Sequence, residues 1–184
     1  MIRQLFKNSF VRFTLLFLGF YTVLYFAVQF ITGLAVVGGW YSPSIAKYFD
    51  VAHWLRSFLM ISTQFLLSVF GYKTIFINEY VLRLVNGNGI RIVYACLGFA
   101  VMCFWVALVC ASKDTLRHKI LWLAIGLIFI TVLNVVRLSL VLVAANKGWV
   151  FPLGWDHHQW FNLLAYLIIF VLMYFYDKSI KLKI

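Results

Sequence analysis

The sequence predicts an all-α polytopic membrane protein of about four to five transmembrane or re-entrant helices, with a small extracytoplasmic β-hairpin. Three observations predict it. The chain is 65% hydrophobic and only 11% charged, whereas soluble domains are about half apolar and about a quarter charged. Its long apolar runs match the ~20 residues that cross a ~30 Å hydrocarbon core. Its lysines and arginines gather at the ends of those runs, as the positive-inside rule expects. At 184 residues the chain is read as a single integral-membrane domain over 1–184.

The first run covers residues 13–33, behind Arg3, Lys7 and Arg12. It is longer than a signal-peptide core and no small-x-small cleavage site follows, so it reads as a retained transmembrane helix. Residues 51–70 are apolar, but His53, Ser57, Gln64 and Ser68 recur near helical spacing. Such a stripe suits an interfacial or re-entrant helix. Residues 72–92 alternate as strands do, and Asn86-Gly87-Asn88-Gly89 is a turn signal, so a hairpin is expected there. Three further transmembrane helices are expected at 92–111, 120–145 and 159–176. His53 and His118 are expected at the interface or in the basic loop 112–119.

Loop charge orients this set. The N-terminus, loop 112–119 (Lys113, Arg117, Lys119) and the C-terminus (Lys178, Lys181, Lys183) should all be cytoplasmic. That requires an even number of crossings before residue 112, so 51–70 should not cross fully. The net charge of +11 then faces acidic phospholipid, which makes membrane lipids the expected partner and excludes a nucleic-acid patch.

Cys96, Cys103 and Cys110 are seven apart. On one helix they share a face and rise ~10 Å between neighbours, too far for a disulfide. Cys103 and Cys110 read as small buried hydrophobes. Cys96 differs by its company. With the deduced topology Cys96, Arg137 and the His157–His158 pair all fall in the outer leaflet. An arginine inside an apolar helix costs ~2.5–3.5 kcal/mol or more and is seldom there without a partner or a task.

Together these groups suit a cysteine nucleophile. A thiol with a pKa of ~8.5 is mostly protonated at neutral pH. An imidazole can take its proton, and a guanidinium can hold the thiolate or a tetrahedral oxyanion. Asp156 can orient the working histidine. Each group also has a plainer reading: Cys96 as packing, Arg137 snorkelling to the interface, and Asp156-His157-His158 as a capped helix start. No metal or cofactor is expected, since adjacent histidines point in different directions and few carboxylates accompany them.

Ala95-Cys96-Leu97-Gly98, Asn134-Val135-Val136-Arg137, and His158 with Asn162 four residues on resemble the three motifs of the exosortase/archaeosortase family. Leu97 stands where a small residue is common, and Asn162 where glycine is. The chain resembles the compact members from Bacteroidetes-like bacteria. The resemblance implies a membrane cysteine peptidase or transpeptidase at the outer face of the bacterial cytoplasmic (inner) membrane. Its implied partners are exported proteins with a C-terminal transmembrane helix and basic tail. It implies Cys96 as nucleophile, Arg137 as anion stabiliser and His158 as general base and acid, with His157 as the alternative base. Asp156, Asn134 and Asn162 are supporting residues. The main rival is a small transporter or channel subunit with Arg137 and the histidines lining a polar pathway. A structural assembly partner without chemistry is a third reading.

Overall fold

The computed structural model describes residues 9–36, 41–149 and 157–181, the last stretch without the side chains of residues 157, 158, 161, 162, 165 and 181. In chain order the elements are α1 (Ser9–Ala35), α2 (Pro43–Tyr48), α3 (Val51–Val69), β1 (Thr74–Asn78), β2 (Val81–Leu84), β3 (Gly89–Arg91), a 3-10 turn (Tyr94–Cys96), α4 (Phe99–Ala111), α5 (Leu116–Lys147) and α6 (His157–Lys181). The protein is mostly helical, with one small three-stranded sheet. Among the described residues, α1 and α5 are the helices long and apolar enough to cross a membrane.

The described residues form two compact units. The first takes α1, α2, α4, the start of α5 and the end of α6. Phe13, Phe17, Tyr21 and Tyr25 stack at successive four-residue intervals along α1, because residues four apart share a helix face. Phe104 of α4 meets this ladder edge-on, 5.0 Å from Phe17. Trp105 is fully buried and donates its indole N–H to the carbonyl of Trp122 at 3.1 Å. Gly126, one turn further along α5, leaves the space that the Trp105 ring fills.

His118 departs from expectation. It is buried, at 6% exposure, and not loose in a basic loop. Its Nδ1 pairs with Asp114, its Nε2 accepts from the Trp122 indole at 2.9 Å, and its ring stacks on Tyr176. The Tyr176 hydroxyl in turn lies 2.5 Å from the Ser112 hydroxyl. Buried polar groups need such partners; Asp114 and Trp122 lie four residues from His118, whereas Tyr176 comes from the far end of the chain. At the same end, a groove of about 750 Å³ is lined by Ser9 and Arg12 of α1, Ser112 and Lys113 of the α4–α5 loop, and Asp177 and Ile180 of α6. The three basic segments therefore gather in one place.

The second unit holds α3, the sheet, the 3-10 turn and the remainder of α5 and α6. Asp50 caps α3 by accepting from the His53 backbone N–H at 2.8 Å. Ala52, Arg56, Leu59, Met60, Thr63 and Leu67 form its buried stripe, while Trp54, Phe58, Ile61 and Phe65 form an exposed apolar one. The polar residues His53, Ser57 and Gln64 flank the buried stripe at intermediate exposure.

The expected hairpin is a three-stranded antiparallel meander in the order β1-β2-β3. β1 pairs with β2 (Thr74 opposite Leu84), and β2 with β3 (Val81 opposite Arg91). Asn86 takes φ 63° at the β2–β3 turn, a conformation that asparagine tolerates better than most residues. The following Gly87 lacks the Cβ that would run into the Asn146 side chain.

The helix expected at 92–111 is shorter, running only from Phe99 to Ala111. Thirteen residues rise ~20 Å, less than the ~30 Å of a hydrocarbon core. The first seven residues have other commitments. Ile92 donates its backbone N–H to Tyr80 at 2.7 Å, extending the sheet edge. Gly98 then adopts φ +80°, which interrupts a helix. Cys96 therefore sits on a tight turn ahead of α4 and does not share a helix face with Cys103 and Cys110.

Candidate active site

Cys96 closes the 3-10 turn, where its backbone N–H donates to Val93 at 2.8 Å. It is 5% exposed, and its neighbour Leu97 is fully buried. The larger residue at 97 is thus a core residue of this chain. Gly98 supplies the left-handed backbone that turns the chain into α4.

The Asn134 side-chain amide donates to the carbonyl of Cys96 at 2.8 Å. Asn134 is itself buried, so this bond satisfies two groups that would otherwise lack water. A Cβ on residue 98 would also lie 3.5 Å from the Asn134 amide nitrogen. The Ala95-Cys96-Leu97-Gly98 turn is therefore moulded on Asn134. Arg137 is three residues further along α5, ~4.5 Å of axial rise, on the same side of the helix.

A second tie fixes the segment that leads into the cysteine. The Asn146 carbonyl oxygen accepts from the Asn88 backbone N–H at 2.5 Å. Its amide donates to the Asn88 carbonyl at 3.1 Å. The Asn88 amide donates to the carbonyl of Ala145 at 3.1 Å. Asn146 imitates a strand partner and pins the β2–β3 turn to α5. Residues 88–96 thus lie along α5 in the opposite direction to it, held at Asn146 and at Asn134. Arg137 lies between these two anchors.

Of the residues singled out by sequence, Cys96 and Asn134 are joined by this bond, and Arg137 follows Asn134 by three residues on α5. His157 and His158 begin α6, and Asn162 follows one turn later. The side chains of all three lie outside the described residues, as does Asp156 entirely. Sequence reading missed Asn146 and Asn88. Their only early signal was the Asn-Gly-Asn-Gly turn, which says where the chain reverses and not what it rests on.

Neither a curated protein nor a solved structure matches the chain. A family model described as transmembrane exosortase matches residues 6–175, a stretch that includes both anchors, the cysteine turn and the start of α6. The chain belongs to the transmembrane exosortase family, and is a membrane protein of that kind.

Proposed function

We propose that this protein is a membrane cysteine peptidase or transpeptidase that cleaves C-terminal sorting signals of exported proteins at the outer face of the cytoplasmic membrane. The observation that carries the proposal is the Asn134 bond to the Cys96 carbonyl. It ties the turn that carries the buried Cys96 to Asn134, which is one helical turn from Arg137 on α5.

In the proposed reaction His158 takes the thiol proton and the Cys96 sulfur attacks the scissile carbonyl carbon. The resulting oxyanion is held by Arg137. Collapse breaks the C–N bond, and the imidazolium returns its proton to the leaving amine. Water or an acceptor amine, deprotonated by His158, then attacks the thioester and restores the thiol. His157 is the alternative base, and Asp156 and Asn162 are supporting residues. The grouping of the three basic segments at one end of the first unit supports a common cytoplasmic side for them.

The test is a thiol-directed activity probe applied to membranes containing the protein. Labelling is expected to disappear in Cys96→Ala and to persist in Cys103→Ala and Cys110→Ala. Undiminished labelling in Cys96→Ala would remove the nucleophile and with it the proposal.

A further inference from the structure

The groove at the basic end of the first unit has no part in the chemistry above. It encloses about 750 Å³, and its lining residues all belong to that unit. One end is charged. Arg12 of α1 and Lys113 of the α4–α5 loop line it, both exposed, together with Asp177 of α6. Two cations and one carboxylate leave a surplus of one positive charge among these lining residues. Lys119, the next lysine along the chain, is engaged by the carbonyl of Cys110 at 2.9 Å. Along α1 the lining is apolar, through Phe13, Leu16 and Phe20.

The length of the groove fits a membrane leaflet. Ser9 and Phe20 of α1 both line it. The helix rises ~17 Å between them, close to half of a ~30 Å hydrocarbon core. The groove thus runs from the charged end of the crossing to about its middle. Leu16 and Phe20 are exposed, so a hydrocarbon chain can enter from the side.

The charged end is held in place. The Ser112 hydroxyl donates to the carbonyl of Val109 at 2.7 Å and lies 2.5 Å from the Tyr176 hydroxyl. Asp114 pairs with the buried His118. Lys113 sits between these two anchored residues, with its Nζ 3.4 Å from the Ser9 hydroxyl. A hydroxyl neutralises no charge, and a cation on a fixed loop loses less freedom when it binds an anion. A soluble acid would use this end and leave the apolar wall unused. A molecule with both a phosphate and a hydrocarbon chain matches both.

We infer that this groove binds one anionic glycerophospholipid, with its phosphate at Arg12 and Lys113 and one acyl chain along Phe13, Leu16 and Phe20. The single negative charge of such a lipid balances the surplus positive charge of the groove. The site is independent of the peptidase reading, and its occupancy is measurable without turnover.

The first test uses full-length protein in a neutral detergent, stripped of lipid, with phosphatidylglycerol, phosphatidylcholine or inorganic phosphate added. Phosphatidylglycerol is expected to raise the thermal midpoint by several degrees, because a ligand of the folded state stabilises it by mass action. Phosphatidylcholine carries no net charge and inorganic phosphate has no chain, so neither should move it. The response should vanish in the double variant Arg12→Gln, Lys113→Gln. It should also vanish in Leu16→Trp, which fills the path of the chain and leaves both cations. It should persist in the double variant Lys47→Gln, Lys73→Gln, which removes the same charge from exposed positions outside the groove. No shift in the wild type overturns the inference. An equal response to phosphatidylcholine overturns it in favour of general lipid solvation, and an equal response to inorganic phosphate in favour of a plain anion site. A phosphatidylglycerol response that survives loss of Arg12 and Lys113, or that is lost equally in the control variant, overturns it as well.

The second test needs no unfolding. Native mass spectrometry of protein released from membranes is expected to find one anionic phospholipid retained per wild-type chain and none on the Arg12→Gln, Lys113→Gln variant. Wild-type chains that retain none, or variant chains that retain as much, overturn the site.

Discussion

At Cys96 two kinds of information meet. The residue pattern around Arg137 was legible, because a guanidinium and an asparagine in an apolar helix are conspicuous on cost alone. The role of Asn134 was not, because a carbonyl acceptor on Cys96, 38 residues earlier, leaves no trace in the pattern. Two predictions belong to this scale. If Arg137 holds an oxyanion, its fork and reach both matter, and lysine offers only a point charge. Arg137→Lys is expected to accumulate normally and to lose activity on the order of 10²-fold, read as the ratio of full-length to trimmed substrate in membranes. Full activity in Arg137→Ala at equal protein level would exclude it from the chemistry. Successive residues of a helix are ~100° apart, so the spacing predicts that one of His157 and His158 serves as the base and not both. The four-residue spacing of His158 and Asn162 favours His158. His158→Ala is expected to abolish trimming and His157→Ala only to weaken it. The reverse result would shift the active register by one residue.

Among the elements, the helices of the first unit are positioned by one large side chain and one absent one. Trp105 occupies the place beside α5 that Gly126 leaves open. Replacing glycine by alanine within a helix ordinarily stabilises by ~0.8–1 kcal/mol. Here the new methyl group would overlap the indole of a fully buried tryptophan, and overpacking of a filled core costs ~1–3 kcal/mol. Gly126→Ala is therefore expected to lower the unfolding temperature in detergent. An unchanged or higher midpoint would show that α5 can move away from Trp105 at little cost. The same competition between local and distant demands explains α4. Residues 92–98 are apolar enough for a helix, but the sheet edge claims Ile92 and the left-handed Gly98 ends the turn. Composition alone, which does not register a ladder bond to Tyr80, placed the helix start seven residues too early.

For the molecule as a whole, the testable property is its orientation. α1 is almost entirely exposed and apolar over the length of a membrane crossing, as a helix in lipid should be. The start of α1, the α4–α5 loop and the end of α6 share one groove, with Lys113 Nζ 3.4 Å from the Ser9 hydroxyl. The positive-inside rule predicts that this shared end faces the cytoplasm. On a background lacking the native cysteines, a cysteine at Ser112 should resist an impermeant thiol reagent added outside, and one at Asn86 should react. Outside labelling at Ser112 would refute this orientation. α3 carries an exposed apolar stripe, Trp54–Phe58–Ile61–Phe65, opposite its buried one.

The sequence by itself determined the membrane character, the helical content, the position of the Asn86-Gly87 reversal and the residues worth suspecting. Each of these depends on hydrophobicity or on turn preferences within a few residues. Only the tertiary structure decided that α4 begins at Phe99, that His118 is buried against Asp114 and Tyr176, and that Asn146 and Asn134 hold residues 88–96 along α5. Those outcomes turn on which of two satisfiable hydrogen-bonding arrangements has its partner nearby. The partner is often some sixty residues away, so it becomes visible only once the chain has folded.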